Sequence, residues 1–172
     1  SLMHGFVVWG FLFFFLVNTG DVIEGYFDLA FLGTGMIGDL YRLAADVLSI
    51  AIVIGVVYFL LRRFVMNTPA LRFRESILLR PDVLPGLRRD SLIVGAFIVV
   101  HVGTRFLGET FWIARYGDDP WQPLAGAVAG LWDGLSAGEL EAGEHGMWWL
   151  ALGTILAFVP YFPFSKHMHL FM

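Results

Sequence analysis

Apolar residues are gathered into four long runs, Leu2 to Val17, Leu43 to Leu61, Leu92 to Leu107 and Met147 to Phe164. The stretches between them are rich in charge, glycine and proline. Each run approaches the roughly 17–25 residues that an α-helix needs to cross a bilayer. The pattern predicts an all-α membrane protein, a bundle of four transmembrane helices at about 2–19, 39–64, 90–112 and 143–166. Four crossings leave little chain for a water-soluble domain, so residues 1–172 read as a single transmembrane domain. The apolar run begins at once, without a basic segment or a small-residue cleavage site before it, and the end just past the last run is as abrupt. The chain therefore reads as a fragment of a longer protein.

Composition agrees with this reading. With 58% hydrophobic residues, 15% charged and a mean hydropathy of +0.72, the chain lies outside the range of soluble domains. It has no cysteine, which excludes a disulfide framework, iron–sulfur ligation and thiolate metal sites within these residues. No Walker motif, dinucleotide fingerprint, internal repeat or Ser/His/Asp arrangement is present, and nothing points to a nucleic-acid partner.

Charge divides the connections into two kinds. Residues 62–89 carry Arg62, Arg63, Arg72, Arg74, Arg80, Arg88 and Arg89 against only Glu75 and Asp82. The first connection holds Asp21, Glu24 and Asp28, and the longer one Asp118, Asp119, Asp133, Glu139, Glu141 and Glu144. The positive-inside rule puts the arginine-rich connection and both chain ends on the cytoplasmic side of a multi-pass protein. That connection has room for a short surface helix near 71–79, either among lipid headgroups or docked to a partner. Gly and Pro in GDDPWQPLAG signal turns. Trp112, Trp121, Trp132, Trp148 and Trp149 read as an interfacial aromatic belt.

Five histidines carry the candidate chemistry: His4, His101, His145, His167 and His169. Ionisable residues within a bilayer are costly and usually face the bundle interior. His4 opens the first helix and His169 closes the fourth, so antiparallel crossings bring both to the cytoplasmic interface. Facing helices of a bundle can supply the two axial ligands of a haem iron in this way, with His167 as the substitute for His169. The alternative is a set of interfacial histidines that face lipid.

Three stretches, LMHGFVVWGF at the start, the Trp148–Trp149 pair and FPFSKHMHLF at the end, frame nearly the whole chain. Through them it resembles the cytochrome b (gamma) subunit of respiratory nitrate reductases. It also resembles the membrane domain of heterodisulfide-reductase-like iron–sulfur oxidoreductases, which include membrane-bound electron-transfer-flavoprotein:menaquinone oxidoreductases. The final stretch is similar to the family's FPFS-(K/R)-x-x-H signature, which implies His169 as an axial ligand of haem b, and the partner ligand maps onto His4. The ligands of the family's second haem map onto Phe14 and Ala151, so the resemblance implies one haem. A second would need His101 and His145. The resemblance further implies a fifth, N-terminal helix before Ser1 and a prokaryotic plasma (inner) membrane location. Its partners would be an iron–sulfur protein or fused module on the cytoplasmic side, lipid, and quinone as mobile substrate.

His101, Arg105 and Glu109 share one face of the third helix at i, i+4, i+8. Arg42 and Asp46 offer complementary charges on the second helix at similar depths, predicting the ion pairs Asp46–Arg105 and Arg42–Glu109. Such a ladder serves either to pin the two helices or as a quinone and proton stripe, in which His101 relays a proton. The function expected is electron transfer between an iron–sulfur partner and the quinone pool, as the membrane part of a quinone-linked oxidoreductase. The alternatives are a haem-free membrane anchor of a redox complex and a proton-conducting or transport subunit.

Overall fold

In the computed structural model, residues 2–27, 35–66 and 83–165 are described. They are mostly helical, with no strand among the described residues. The helices are α1 (Leu2–Phe27), α2 (Met36–Leu60), α3 (Val83–Tyr116), α4 (Pro123–Ala129) and α5 (Ala137–Phe158). A π-helical turn, Leu61–Val65, continues α2. One 3-10 turn, Gly130–Trp132, follows α4 and another, Phe162–Phe164, follows α5. Two spans, Met36–Val65 and Pro85–Tyr116, are long and apolar enough to cross a membrane.

The helices outrun the apolar stretches that predict them. α1 runs on through Asp21 and Glu24, which therefore belong to a helix and not to a connection. α3 takes in Arg88 and Arg89 at one end and Arg115 at the other; its 34 residues span about 51 Å, well beyond a hydrocarbon core of about 30 Å. Backbone hydrogen bonding continues wherever no residue interrupts it, whether or not the side chains are apolar. α3 stops where Gly117, at φ 108°, donates its N–H to the Ile113 carbonyl in a left-handed cap. α5 begins at a capping box, in which the Ser136 hydroxyl accepts the Glu139 N–H and the Glu139 carboxylate accepts the Ser136 N–H. It ends eight residues before 166, the end expected from hydropathy, because Pro160 has no N–H to extend the ladder.

α3 is the axis of the bundle, and α5 packs antiparallel along it in a constant register. Successive contacts pair Phe111 with Gly143, Gly108 with Met147, His101 with Ala151, Phe97 with Phe158 and Asp90 with Tyr161. α2 runs antiparallel to α3 on another side, where Leu60 meets Gly95. α1 lies on both, through a cluster of Phe14, Val17 and Val102 with Leu48, Ile52 and Ile98 at its border.

Side chains are sorted in the reverse of a water-soluble helix. On α2 the buried positions are Gly38, Asp46, Ser49 and Val56, while Leu40, Val47, Ile54 and Leu61, seven residues apart, are exposed. α1 exposes Trp9, Phe15 and Leu16, and α5 exposes Trp148, Trp149 and Leu156. An apolar surface of this extent, around a core that holds aspartate, histidine and threonine, suits lipid as solvent.

Candidate functional site

Mid-way along the bundle, three helices meet at His101. The ring is 5% exposed and lies flat on Phe97, 4° from parallel. Its Nδ1 is 3.1 Å from the Ala151 carbonyl on α5, and its Nε2 is 3.3 Å from the Asn18 amide nitrogen on α1. A carbonyl only accepts, so Nδ1 carries the proton and donates; Nε2 then accepts from Asn18. Asn18 uses its other amide hydrogen on the Phe14 carbonyl at 2.8 Å. A hydrogen-bonded crosspiece thus runs from Phe14 through Asn18 and His101 to Ala151.

The end of the bundle that carries Asp118, Asp119, Glu141 and Glu144 is closed by the 117–136 connection. The reading of turns there is incomplete, because Pro123 starts α4, and its fixed φ suits the first helical position. Asp46 on α2, 3% exposed, reaches this helix: its two oxygens accept the N–H groups of Leu124 and Ala125 at 2.7 and 2.9 Å. Arg42, one turn earlier, binds Asp39 at 2.6 Å and Asp119 at 2.7 Å. The expected pairs Asp46–Arg105 and Arg42–Glu109 are therefore replaced. The start of α4 supplies Asp46 with a helix N-terminus, and the connection before it supplies Arg42 with the Asp119 carboxylate. Glu109 accepts from the buried Gln122 side chain at 3.3 Å. Trp132, assigned to an aromatic belt by position, stacks on Phe111 at 4.4 Å and donates its N–H to Thr110. Trp112, Trp148 and Trp149 do stay exposed. Arg115 joins α3 to α5 through Glu141 and Glu144 at 2.9 and 3.2 Å.

The opposite end carries Arg62, Arg63, Arg88 and Arg89. There the Tyr161 hydroxyl donates to the buried Asp90 carboxylate at 2.6 Å.

Of the histidines expected to hold iron, the side chain of His4 and all of His167 and His169 lie outside the described residues, as does the surface helix expected near 71–79. The backbone still places position 4. Asn18, His101 and Ala151 meet at one level. Residue 4 lies about 21 Å from there along α1, Asp90 about 16 Å along α3 and Phe158, the last residue of α5, about 10 Å along α5, all toward the arginine-bearing end. His101 and His145 are not brought together: His145 is exposed on α5, about 9 Å beyond Ala151 toward the acidic end. His101, Arg105 and Glu109 do follow one another along α3, the first buried and the other two half-buried. Asn18 and the Asp90–Tyr161 pair were missed by reading the sequence. Asn18 had a signal, an amide within the apolar run LFFFLVNTG.

No protein-family model, curated protein or solved structure matches the chain.

Proposed function

We propose that this chain is a membrane cytochrome b domain, in which α1, α2, α3 and α5 cross the bilayer with the arginine-bearing end in the cytoplasm. His4 and His169 are the axial ligands of one haem b near that end, with His167 as substitute. Haem b supplies one-electron chemistry, and the chain passes electrons between an iron–sulfur partner on the cytoplasmic side and quinone in the membrane. The observation that carries this reading is the common level described above. The first turn of α1, which contains His4, and the FPFS turn after α5 fall at the same end of the bundle, as two ligands of one iron require.

The crosspiece favours one haem over two. Phe14 and Ala151, where the resembled family has the ligands of its second haem, are buried, and their carbonyls are joined through Asn18 and His101. Both nitrogens of His101 are occupied by protein groups, which suits a brace or a proton relay better than an iron ligand. Arg105 and Glu109, further along the same face, line the path on which quinone chemistry would take up protons.

The deciding measurement is a dithionite-reduced minus oxidised spectrum of the purified complex, with haem b quantified per chain, on wild type and on His169→Ala. The expected result is one haem per chain in the wild type and its loss in the variant. A wild-type complex without haem overturns the reading in favour of a membrane anchor.

A further inference from the structure

The two ends of the bundle treat their arginines differently. Arg42 and Arg115, at the acidic end, are each held by two carboxylates. Arg63, Arg88 and Arg89, at the other end, have no ion pair among the described residues. Arg88 and Arg89 are exposed and Arg63 is half-buried. Like charges gathered in one place favour an anion from outside the chain.

The packing of α2 on α3 is what gathers them. Leu60 covers the face of α3 at Gly95, where an added Cβ would lie 2.7 Å from the Leu60 side chain. Arg63 follows Leu60 by about 5 Å along α2, and Arg88 and Arg89 precede Gly95 by about 10 and 9 Å along α3. Because the two helices are antiparallel, all three leave the contact in the same direction and differ in depth by no more than about 6 Å. Seven residues make nearly two whole turns, so Arg88 also shares the face of Gly95, which is turned to α2.

The surface beside these arginines is apolar. Leu61, Val65 and Met66 at the end of α2 and Leu92 on α3 are all exposed. They lie toward the same end of Met36–Val65 and Pro85–Tyr116, the two spans that are long and apolar enough to cross a membrane. Guanidinium groups next to exposed hydrocarbon suit a ligand that carries a phosphate and acyl chains on one molecule. An acidic protein surface would match the charge but leave Val65 and Leu92 without an apolar partner.

We propose that Arg63, Arg88 and Arg89 bind the headgroup of one anionic phospholipid at the seam of α2 and α3, with its acyl chains along Leu61, Val65 and Leu92. Each guanidinium can meet phosphate oxygens through paired N–H donors, which an ammonium cannot do. The assignment rests on the bilayer crossing of α2 and α3 in the reading above and not on its haem.

The test is native mass spectrometry of the purified protein in mild detergent, titrated with phosphatidylglycerol or with phosphatidylcholine of the same acyl chains. The expected result is one phosphatidylglycerol retained per chain under conditions where phosphatidylcholine is not. Arg63→Gln, Arg88→Gln and Arg89→Gln should each weaken that retention about fivefold, and Arg88→Lys, which keeps the charge without the fork, should weaken it less. Arg88 and Arg89 are exposed, so their substitution tests the ligand without disturbing the packing of the helices. Equal retention of the two lipids, or unchanged retention of phosphatidylglycerol when all three arginines are replaced by glutamine, overturns the site. Glycerophosphoglycerol, the same headgroup without acyl chains, should not displace the lipid. Displacement at matching concentration would make the site one for a soluble phosphate ester and overturn the lipid assignment. Haem content enters none of these readouts, so this proposal and the cytochrome reading fail separately.

Discussion

The Asp46 carboxylate on α2 lies 2.9 Å from the backbone nitrogen of Ala125 on α4, and its second oxygen holds the neighbouring N–H of Leu124. One buried acid thus satisfies two of the backbone donors that the start of α4 leaves open, and it sits at the positive end of that helix. This contact and that of Arg42 with Asp119 tie the 117–136 connection to α2, while Gln122, Ala125, Ala129 and Trp132 tie it to α3.

Asp46→Ala should therefore lower the unfolding free energy by about 2–3 kcal/mol, since it orphans buried N–H groups. Asp46→Asn should cost less, because its carbonyl oxygen can still accept one of the two bonds. Denaturant unfolding in detergent measures both, and limited proteolysis should cut residues 117–136 faster in the alanine variant. Equal stability of Asp46→Ala and wild type would mean that α4 is held by something else.

The reading of Asp46 shows what was legible and what was not. Its helix, depth and inward face follow from spacing and hydropathy. Its partner does not, because a connection of polar and turn-forming residues gives no periodic signal when it makes a seven-residue helix. Helix ends were misplaced for a related reason: hydropathy marks where side chains leave lipid, whereas the helix ends at a cap. Ser136 and Glu139 spell a capping box, yet the charge of Glu139 alone reads as part of a connection. The reverse occurred at α5's other end, where the apolar run continues past Pro160 and the helix does not.

His101 and Asn18 should be energetically coupled. Each single alanine variant loses their mutual hydrogen bond, and His101→Ala also opens a cavity beneath Phe97, so it should cost about 2–4 kcal/mol. A double-mutant cycle should give a coupling of about 0.5–1.5 kcal/mol. A coupling near zero would show that α1 is not docked through this bond.

The capping box makes the start of α5 pH-dependent. Hydrogen bonds from Ser136 hold the Glu139 pKa below its ordinary value of 4.5. Because the folded pKa is depressed, the contribution is fully present above the unfolded pKa and is lost as pH falls through the folded one. Amide hydrogen exchange in residues 137–140, corrected for the intrinsic pH effect, should lose protection on acidification below pH about 4.5. In Ser136→Ala it should be faster already near neutrality and depend less on pH.

α3 and α5 pack tightly at Gly143, where an added Cβ would lie 2.6 Å from the Phe111 ring. That ring cannot retreat freely, because its plane is stacked on Trp132, whose N–H is tied to Thr110. Gly143→Ala should therefore destabilise the bundle by about 1–3 kcal/mol, although alanine is the better helix former. Gly146, one turn on, meets nothing within 4 Å, so Gly146→Ala should be neutral or stabilising by up to about 1 kcal/mol. Phe111→Leu in the Gly143→Ala background should recover part of the loss, since it removes the edge that the methyl strikes, but not all, since it also ends the stack on Trp132. Thermal unfolding of the three variants beside wild type measures this order. If Gly143→Ala and Gly146→Ala had equal effects, the loss would be one of helix propensity, and the helices would not be in contact at Phe111.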